Sequence, residues 1–114
     1  MSSALPYLVL VKESIEQVKQ YMAVDRANFL GETMVQDAVL MRLQVIGGNL
    51  ANIRRTDEEL FAISDDGAWN EIIGLRNIIS HGYQEIEAER IWEFLDRDLP
   101  ELERSIDQAI QRHS

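Results

Sequence analysis

Apolar residues recur every three or four positions along most of the chain, which is the spacing of one face of an α-helix. From Leu5 to Met22 they fall at Leu8, Val11, Ile15, Val18 and Met22. This spacing predicts a first helix with one buried face. Residues 25–31 are interpreted as a connection, and Thr33 as the N-cap of the next helix.

The segment from Met34 to Arg55 is predicted to be a long helix with two apolar stripes. One stripe comprises Val35, Val39, Leu43, Ile46, Leu50 and Ile53, and the other comprises Met34, Ala38, Met41 and Val45. Together they are wider than one neighbouring helix covers, so we expect this helix to be central or to face another subunit. Gly47 and Gly48 each cost roughly 1 kcal/mol relative to Ala in a helix interior. We interpret the pair as a close helix crossing.

The second half of the chain predicts three further helical segments. "TDEEL" at 56–60 is typical of a capped, short helix, and "SDDG" at 64–67 of a break. A third main helix is predicted from Ala68 to His81, with Gly82 following it. The last helix carries an apolar face of Ile91, Trp92, Leu95, Leu99, Leu102, Ile106 and Ile110.

Pro100 interrupts the last of these segments. A proline inside a helix removes one backbone hydrogen bond, so we expect a kink or a restart there, with Asp98 as a possible N-cap. No segment has the alternating pattern of a strand. The sequence therefore predicts a single domain over residues 1–114, an all-α bundle of four to five helices.

Charge and composition narrow the function. The 114-residue chain has a net charge of −9, and residues 57–114 hold fifteen acids against five basic residues. A chain this acidic binds nucleic acid poorly unless it offers a local basic patch. It has no cysteine, no apolar run of membrane-spanning length and no pattern of a signal peptide at its start. We therefore expect a cytoplasmic protein without a membrane segment, disulfide or thiolate metal site.

Polar side chains gather in "LRNIISHGY", residues 75–83. On a helix Arg76 and Ser80 lie about 40° apart, whereas His81 lies about 140° from Arg76. Arg76 and His81 therefore converge only if the helix ends near His81, if the Arg side chain curls round, or if a second copy supplies the other half.

An arginine beside a histidine suits phosphoryl transfer or RNA cleavage. Histidine exchanges protons near neutral pH, and a guanidinium stabilises charge that develops on a phosphate. Asn77 and Ser80 are candidates for supporting, positioning roles. The structural interpretation is that these residues cap the helix end or pack there, and that Arg76 pairs with Glu71 or another acid. One His without a carboxylate at ligand spacing is a poor metal site, so we expect no metal and no cofactor.

The motif formed by Arg76, His81 and Tyr83 resembles the R-x-x-x-x-H-x-Y motif of HEPN-domain proteins, specifically the bacterial HepT-like toxins. The likeness extends beyond the motif. Residues 43–53 are similar to the second-helix signature of that family, residues 69–83 to its third-helix block, and residues 91–106 to its C-terminal segment.

The resemblance implies a toxin of a toxin–antitoxin pair, a dimeric, metal-independent endoribonuclease that cleaves RNA, with tRNA as a candidate substrate. Arg76 and His81 of both subunits would line a shared cleft, and an MntA-like nucleotidyltransferase antitoxin would attach AMP to Tyr83. One position departs from the family pattern, because Gly48 stands where an acidic residue is usual. The alternatives are a non-catalytic HEPN module that binds a nucleotidyltransferase or nucleotide, and a purely structural dimer.

Overall fold

A computed structural model describes residues 4–23, 26–65, 67–82 and 87–113, with the backbone alone at 81, 82 and 113. Within these ranges the chain forms only helices, which confirms the predicted all-α class. They are α1 (Leu5–Tyr21), α2 (Arg26–Gly31), α3 (Thr33–Thr56), α4 (Glu58–Ser64), α5 (Ala68–Gly82) and α6 (Ala88–His113). None of these helices is both long enough and apolar enough to cross a membrane.

Helix α3 is the centre of the bundle, packed between α1 and α5 and also contacting α2 and α4. Its first predicted stripe is buried, with Leu43, Ile46 and Leu50 fully covered. Its second stripe stays largely outside the core, and the side chains of Met34 and Met41 are 83% and 54% exposed. The prediction of a central helix is thus confirmed, while contact of the second stripe with another subunit stays a prediction.

The interpretation of residues 25–31 as a connection is wrong, because Arg26–Gly31 forms helix α2. This short helix is fixed by burial: Phe29 is fully covered and its ring centre lies 5.2 Å from that of Trp92. Thr33 is also not an N-cap, since it is the first residue of α3 and Glu32 precedes it without a side-chain cap. The Gln36 side chain instead donates to the Phe29 and Leu30 carbonyl oxygens at 2.9 and 3.0 Å.

Two aspartates define the helix starts after α3. The carboxylate of Asp57 accepts a hydrogen bond from the Leu60 N–H at 3.1 Å, which caps α4 as "TDEEL" indicates. Asp65 accepts from the Gly67 and Trp69 N–H groups at 2.8 and 3.1 Å, so "SDDG" is a helix start as well as a break. Gly67 has φ +109°, a conformation that favours glycine.

Helix α6 continues through Pro100 without a restart, so the predicted N-cap at Asp98 is wrong. The carboxylate of Asp98 instead accepts a hydrogen bond from Arg97 Nη2 at 3.0 Å. A proline inside a helix costs about 3 kcal/mol. Burying one large aliphatic side chain stabilises the fold by about 1.5–3 kcal/mol. Helix α6 buries several such side chains on both sides of Pro100. Packing of the apolar face therefore outweighs the local helix breaker.

An ionic cluster joins α1 to α6. Lys12 Nζ lies 3.0 Å from Glu103 Oε2 and 2.9 Å from Asp107 Oδ1, and Lys19 Nζ lies 3.2 Å from Glu103 Oε2. Partial burial raises the pKa of Glu103, but hydrogen bonds from Lys12 and Lys19 outweigh it and leave this pKa below its ordinary value. The lowered pKa means that the ionised form of Glu103 stabilises the fold.

This cluster predicts a specific acid sensitivity. Because the Glu103 pKa is lower in the folded than in the unfolded chain, its stabilisation is present above the ordinary glutamate pKa of about 4.3 and is lost as pH falls through the folded value. The Lys12→Met variant should therefore lose less unfolding free energy than the parent between about pH 5 and pH 3. Urea unfolding of both proteins at several pH values measures this. If the unfolding free energies of the two proteins changed identically with pH, the interaction of Lys12 with Glu103 would not be the cause of the acid sensitivity.

Candidate functional site

Helices α3 and α5 cross at Gly47, where a side chain has no room. A Cβ atom at Gly47 would lie 2.7 Å from Arg76 Cβ and 3.1 Å from the Ile72 carbonyl oxygen. A Cβ atom at Gly48 would lie 3.7 Å from Arg76 Nε, which is ordinary contact. The predicted close helix crossing is thus confirmed at Gly47, whereas Gly48 leaves space beside the guanidinium of Arg76.

A groove of about 520 Å³ opens next to this crossing, between α3 and α5. Its lining consists of Met41, Gln44, Val45, Gly48, Asn49, Asn52, Arg76 and Ser80. Among the described residues of this lining Arg76 alone is charged, and the other polar groups are amides and one hydroxyl. The groove is therefore locally positive on a chain whose net charge is −9.

The half-buried Arg76 has no ion-pair partner within the described residues. The structural alternative, a pairing with Glu71 or another acid, is thus wrong for the described residues, and Glu71 Oε1 instead lies 3.7 Å from Arg97 Nη2 on α6. Burial without an ion pair keeps a guanidinium available for an incoming anion, and a guanidinium binds phosphate oxygens through charge-assisted hydrogen bonds. The groove thus has the chemistry of an anion site.

Of the other residues predicted for the site, one lines the groove, one lies outside its lining, one lies at the end of α5, and one is not described. Ser80 lines the groove with Arg76, and its Oγ accepts a hydrogen bond from Gln44 Nε2 at 3.3 Å. Asn77 is exposed and lies outside the groove lining. His81 lies in the last turn of α5, which ends at Gly82, so the helix ends near His81 as expected. Tyr83 lies outside the described residues.

The amides of Gln44, Asn49 and Asn52 were not anticipated from the sequence as parts of the site. The signal for them is a change of character along one side of α3. The second stripe, Met34, Ala38, Met41 and Val45, is apolar. Asn49 and Asn52 continue it at spacings of four and three residues, Gln44 lies beside it, and polar side chains at these positions of a central helix indicate an open, polar surface.

A larger cleft of about 620 Å³ lies between α5 and α6, and Arg76 is not among the described residues that line it. Its lining includes Leu75, Ile91 and Phe94 and both members of the Glu71–Arg97 ion pair. Size alone would favour this cleft as a site. The smaller groove is the better candidate, because it contains the Arg76 guanidinium without a neutralising carboxylate in its lining.

Comparison with known proteins assigns the family. Residues 11–109 match the sequence profile of the family described as ribonuclease HepT-like. The chain belongs to the ribonuclease HepT-like family. A "putative RNase" of Methanocaldococcus jannaschii is 28% identical over 102 residues, 89% of this chain and 91% of that protein. A "putative RNase" of Caldanaerobacter subterraneus subsp. tengcongensis is 24% identical over 113 residues, 98% of each chain. No solved structure gave a significant match.

The family membership confirms the HepT-like resemblance inferred from the motif around Arg76, His81 and Tyr83. The match spans α3, α5 and most of α1 and α6, so it includes both walls of the groove and the position of His81. Gly48 faces Arg76 across the groove. An acidic side chain at that position would lie against the guanidinium and neutralise it.

Proposed function

We propose that this HepT-like protein is a metal-independent endoribonuclease in which Arg76 and His81 are the catalytic residues. The observation that carries the proposal is the groove between α3 and α5, where Arg76 is the one charged group among the lining residues that the structure describes. Family membership and the two relatives named as RNases support the same activity.

The proposed reaction is an internal transesterification. The ribose 2′-hydroxyl attacks the adjacent phosphorus, so that a bond forms from O2′ to phosphorus and the bond from phosphorus to O5′ breaks. The products are a 2′,3′-cyclic phosphate and a free 5′-hydroxyl. His81 transfers protons in this reaction, removing one from the 2′-hydroxyl or delivering one to O5′. Arg76 stabilises the additional negative charge of the pentacoordinate phosphorus, and Asn77 and Ser80 position these groups.

A second copy of the chain would complete the site. On α5 His81 lies five residues after Arg76, so the two positions point about 140° apart around the helix axis. The exposed Met41 lines the groove, and Met34 extends the same apolar stripe of α3. A dimer formed through this stripe would cover the methionines and bring two copies of α5 together around one cleft. We therefore propose a homodimer in which both chains line one shared cleft.

Control by an antitoxin is the proposed regulation. An MntA-like nucleotidyltransferase would transfer AMP to Tyr83, which follows His81 by two residues. The AMP group carries a negative phosphate, which the Arg76 guanidinium would attract into the groove in place of RNA. The strongly acidic second half of the chain supports a partner with a basic docking surface.

The modification predicts a defined loss of activity. The parent incubated with the antitoxin and ATP should gain the mass of one AMP and stop cleaving RNA. The Tyr83→Phe variant lacks the phenolic oxygen, so it should gain no mass and stay active under the same conditions. Intact-protein mass spectrometry beside an RNA-cleavage assay measures both quantities. Equal AMP incorporation by the parent and the Tyr83→Phe variant would place the modification elsewhere.

The test of the ribonuclease itself is cleavage of total tRNA in EDTA by the purified, unmodified protein. Arg76→Ala and His81→Ala variants, shown to be folded by their unfolding transitions, are assayed in parallel. Cleavage by the parent alone is the expected result. Equal cleavage by all three proteins would indicate a contaminating nuclease, and cleavage that EDTA abolishes would contradict independence from metal.

The second candidate function is a non-catalytic HEPN module that binds a nucleotidyltransferase or a nucleotide. Gly48 and the net charge of −9 favour it, since the usual acid beside Arg76 is missing and a strongly acidic chain repels RNA. Folded parent protein that binds the nucleotidyltransferase and leaves every tested RNA intact would support this function over the ribonuclease.

A further inference from the structure

Two arginines lie at the end of α3, just beyond the described lining of the groove. Arg54 and Arg55 occupy the last turn of this helix, and both side chains are exposed. Arg55 comes three residues after Asn52 and seven after Gly48, so it lies on the same face of α3 as these two groove residues. Seven residues of helix correspond to about 10 Å. The groove therefore leads from Arg76 towards a second group of positive charge.

Neutral groups hold the guanidinium of Arg54 in place. Its Nη1 donates to the side-chain oxygen of Asn70 at 3.1 Å, and its Cζ lies 5.9 Å from the centre of the Phe61 ring. The nitrogen of the same Asn70 amide donates to the Asp65 carboxylate, which keeps the amide oxygen directed at Arg54. An amide and an aromatic face orient a guanidinium without cancelling its charge. Arg54 is thus oriented and still able to bind an anion.

Neither of these two arginines pairs with a carboxylate within the described ranges, although the exposed Glu58 and Glu59 follow on α4. On α6, by contrast, Arg97 and Arg104 each pair with an acid of their own helix, at 3.0 and 3.1 Å. A paired carboxylate cancels most of the attraction that a guanidinium exerts on a phosphate. The end of α3 therefore offers the local basic patch that an acidic chain needs in order to bind RNA.

We propose that Arg54 and Arg55 bind backbone phosphates of a single-stranded RNA, about three nucleotides from the phosphate held by Arg76. Phosphates of a stacked strand follow one another at about 3.4 Å along its axis, so about 10 Å of α3 spans about three of them. This inference rests on the proposed ribonuclease function and extends its substrate to a strand that follows the groove. Phosphate contacts carry no sequence information, so the second contact selects for length and not for a particular base.

The experiment measures how RNA binding depends on salt. The His81→Ala variant, which should not cut its ligand, is titrated with a fluorescently labelled oligouridylate of about eight nucleotides, at salt concentrations from about 50 to about 200 mM. The same protein carrying Arg54→Gln and Arg55→Gln is titrated beside it. Each phosphate contact with a single strand contributes about 0.7 to the slope of log affinity against log salt. We expect the two substitutions to reduce this slope by about 1.4 and to weaken binding at the lowest salt by roughly ten- to a hundredfold.

Matched variants separate RNA binding from stability and from net charge. Arg55→Gln alone leaves the contacts of Arg54 intact and should reduce the slope by about 0.7. The pair Arg97→Gln and Arg104→Gln removes the same charge from α6, and it should leave the slope unchanged because these arginines already pair with acids. Arginines in the last turn of a helix also stabilise it through the helix dipole, but a purely structural role would change the unfolding free energy and not the slope.

The length of the RNA provides a second measurement on the same proteins. A dinucleotide with a single phosphate can occupy the site at Arg76 but cannot also reach the end of α3. The double substitution of Arg54 and Arg55 should therefore weaken binding of the longer strand and leave binding of the dinucleotide, measured by competition, unchanged. An oligocytidylate of the same length should lose the same factor as the oligouridylate, because the contact is to the backbone.

Three results would each overturn the inference: a slope that the Arg54 and Arg55 substitutions leave unchanged, an equal fall in slope for the α6 pair, or no binding of any oligonucleotide. Cleavage of RNA by the parent together with an unchanged slope would refute the second contact and retain the ribonuclease. A reduced slope beside a parent that never cuts RNA would refute the ribonuclease and retain the contact.

Discussion

Replacing Arg76 by alanine is expected to lower the rate of RNA cleavage by on the order of 10²- to 10³-fold, the usual effect of removing one group that stabilises charge in a transition state. The expectation follows from the lining of the groove, in whose described part Arg76 is the sole charged residue, so no second cation of that part can replace it. The measurement is single-turnover cleavage of tRNA in EDTA by the parent and by Arg76→Ala.

The matched variant is Arg76→Lys. A lysine keeps the charge and loses the planar, two-pronged donor geometry that fits a phosphate, so it should recover only part of the rate. Removing the half-buried Arg side chain also leaves space above Gly47, so the unfolding free energy of each variant is measured beside its activity. An Arg76→Ala protein that is stable and cleaves at the parental rate would refute the catalytic assignment.

Helical periodicity was sufficient to predict most of the fold. The buried stripe of α3 follows from the spacing of its apolar residues, and the end of α5 near His81 was predicted from Gly82. The errors lie where tertiary packing overrides a local signal. Burial of Phe29 makes a helix of α2, and the apolar face of α6 carries that helix through Pro100. Neither burial can be read from neighbouring residues, because the partner side chains come from distant parts of the chain.

The sequence predicted only those residues of the candidate site that lie on α5. The polar cluster on α5 identified Arg76 and Ser80, but the facing amides of α3 belong to a segment 24 to 36 residues earlier. Only the crossing at Gly47 brings them opposite Arg76. Gly47 and Gly48 look equivalent in the sequence. In the fold the first permits the helix crossing, and the second leaves the groove open next to the guanidinium, so one residue serves packing and its neighbour serves the site.

This division predicts opposite effects of two adjacent substitutions. Gly47→Ala gains roughly 1 kcal/mol of helix propensity. It also forces a methyl group to within 2.7 Å of Arg76 Cβ and 3.1 Å of the Ile72 carbonyl oxygen, both close to the backbone of α5. Overpacking of this kind costs about 1–3 kcal/mol. We expect the unfolding free energy of Gly47→Ala to lie below that of the parent, because α3 and α5 must move apart.

Gly48→Ala provides the control, since it gains the same helix propensity and its methyl group meets Arg76 Nε at an ordinary 3.7 Å. Its unfolding free energy should equal that of the parent or exceed it by up to about 1 kcal/mol. The measurement is urea unfolding of all three proteins. Comparing the two variants with each other removes the shared gain in helix propensity. Using the same protein concentration throughout keeps any contribution of self-association the same for all three. If Gly47→Ala were as stable as Gly48→Ala, the two helices would not cross at Gly47, and the groove that depends on this crossing would lose its geometric basis.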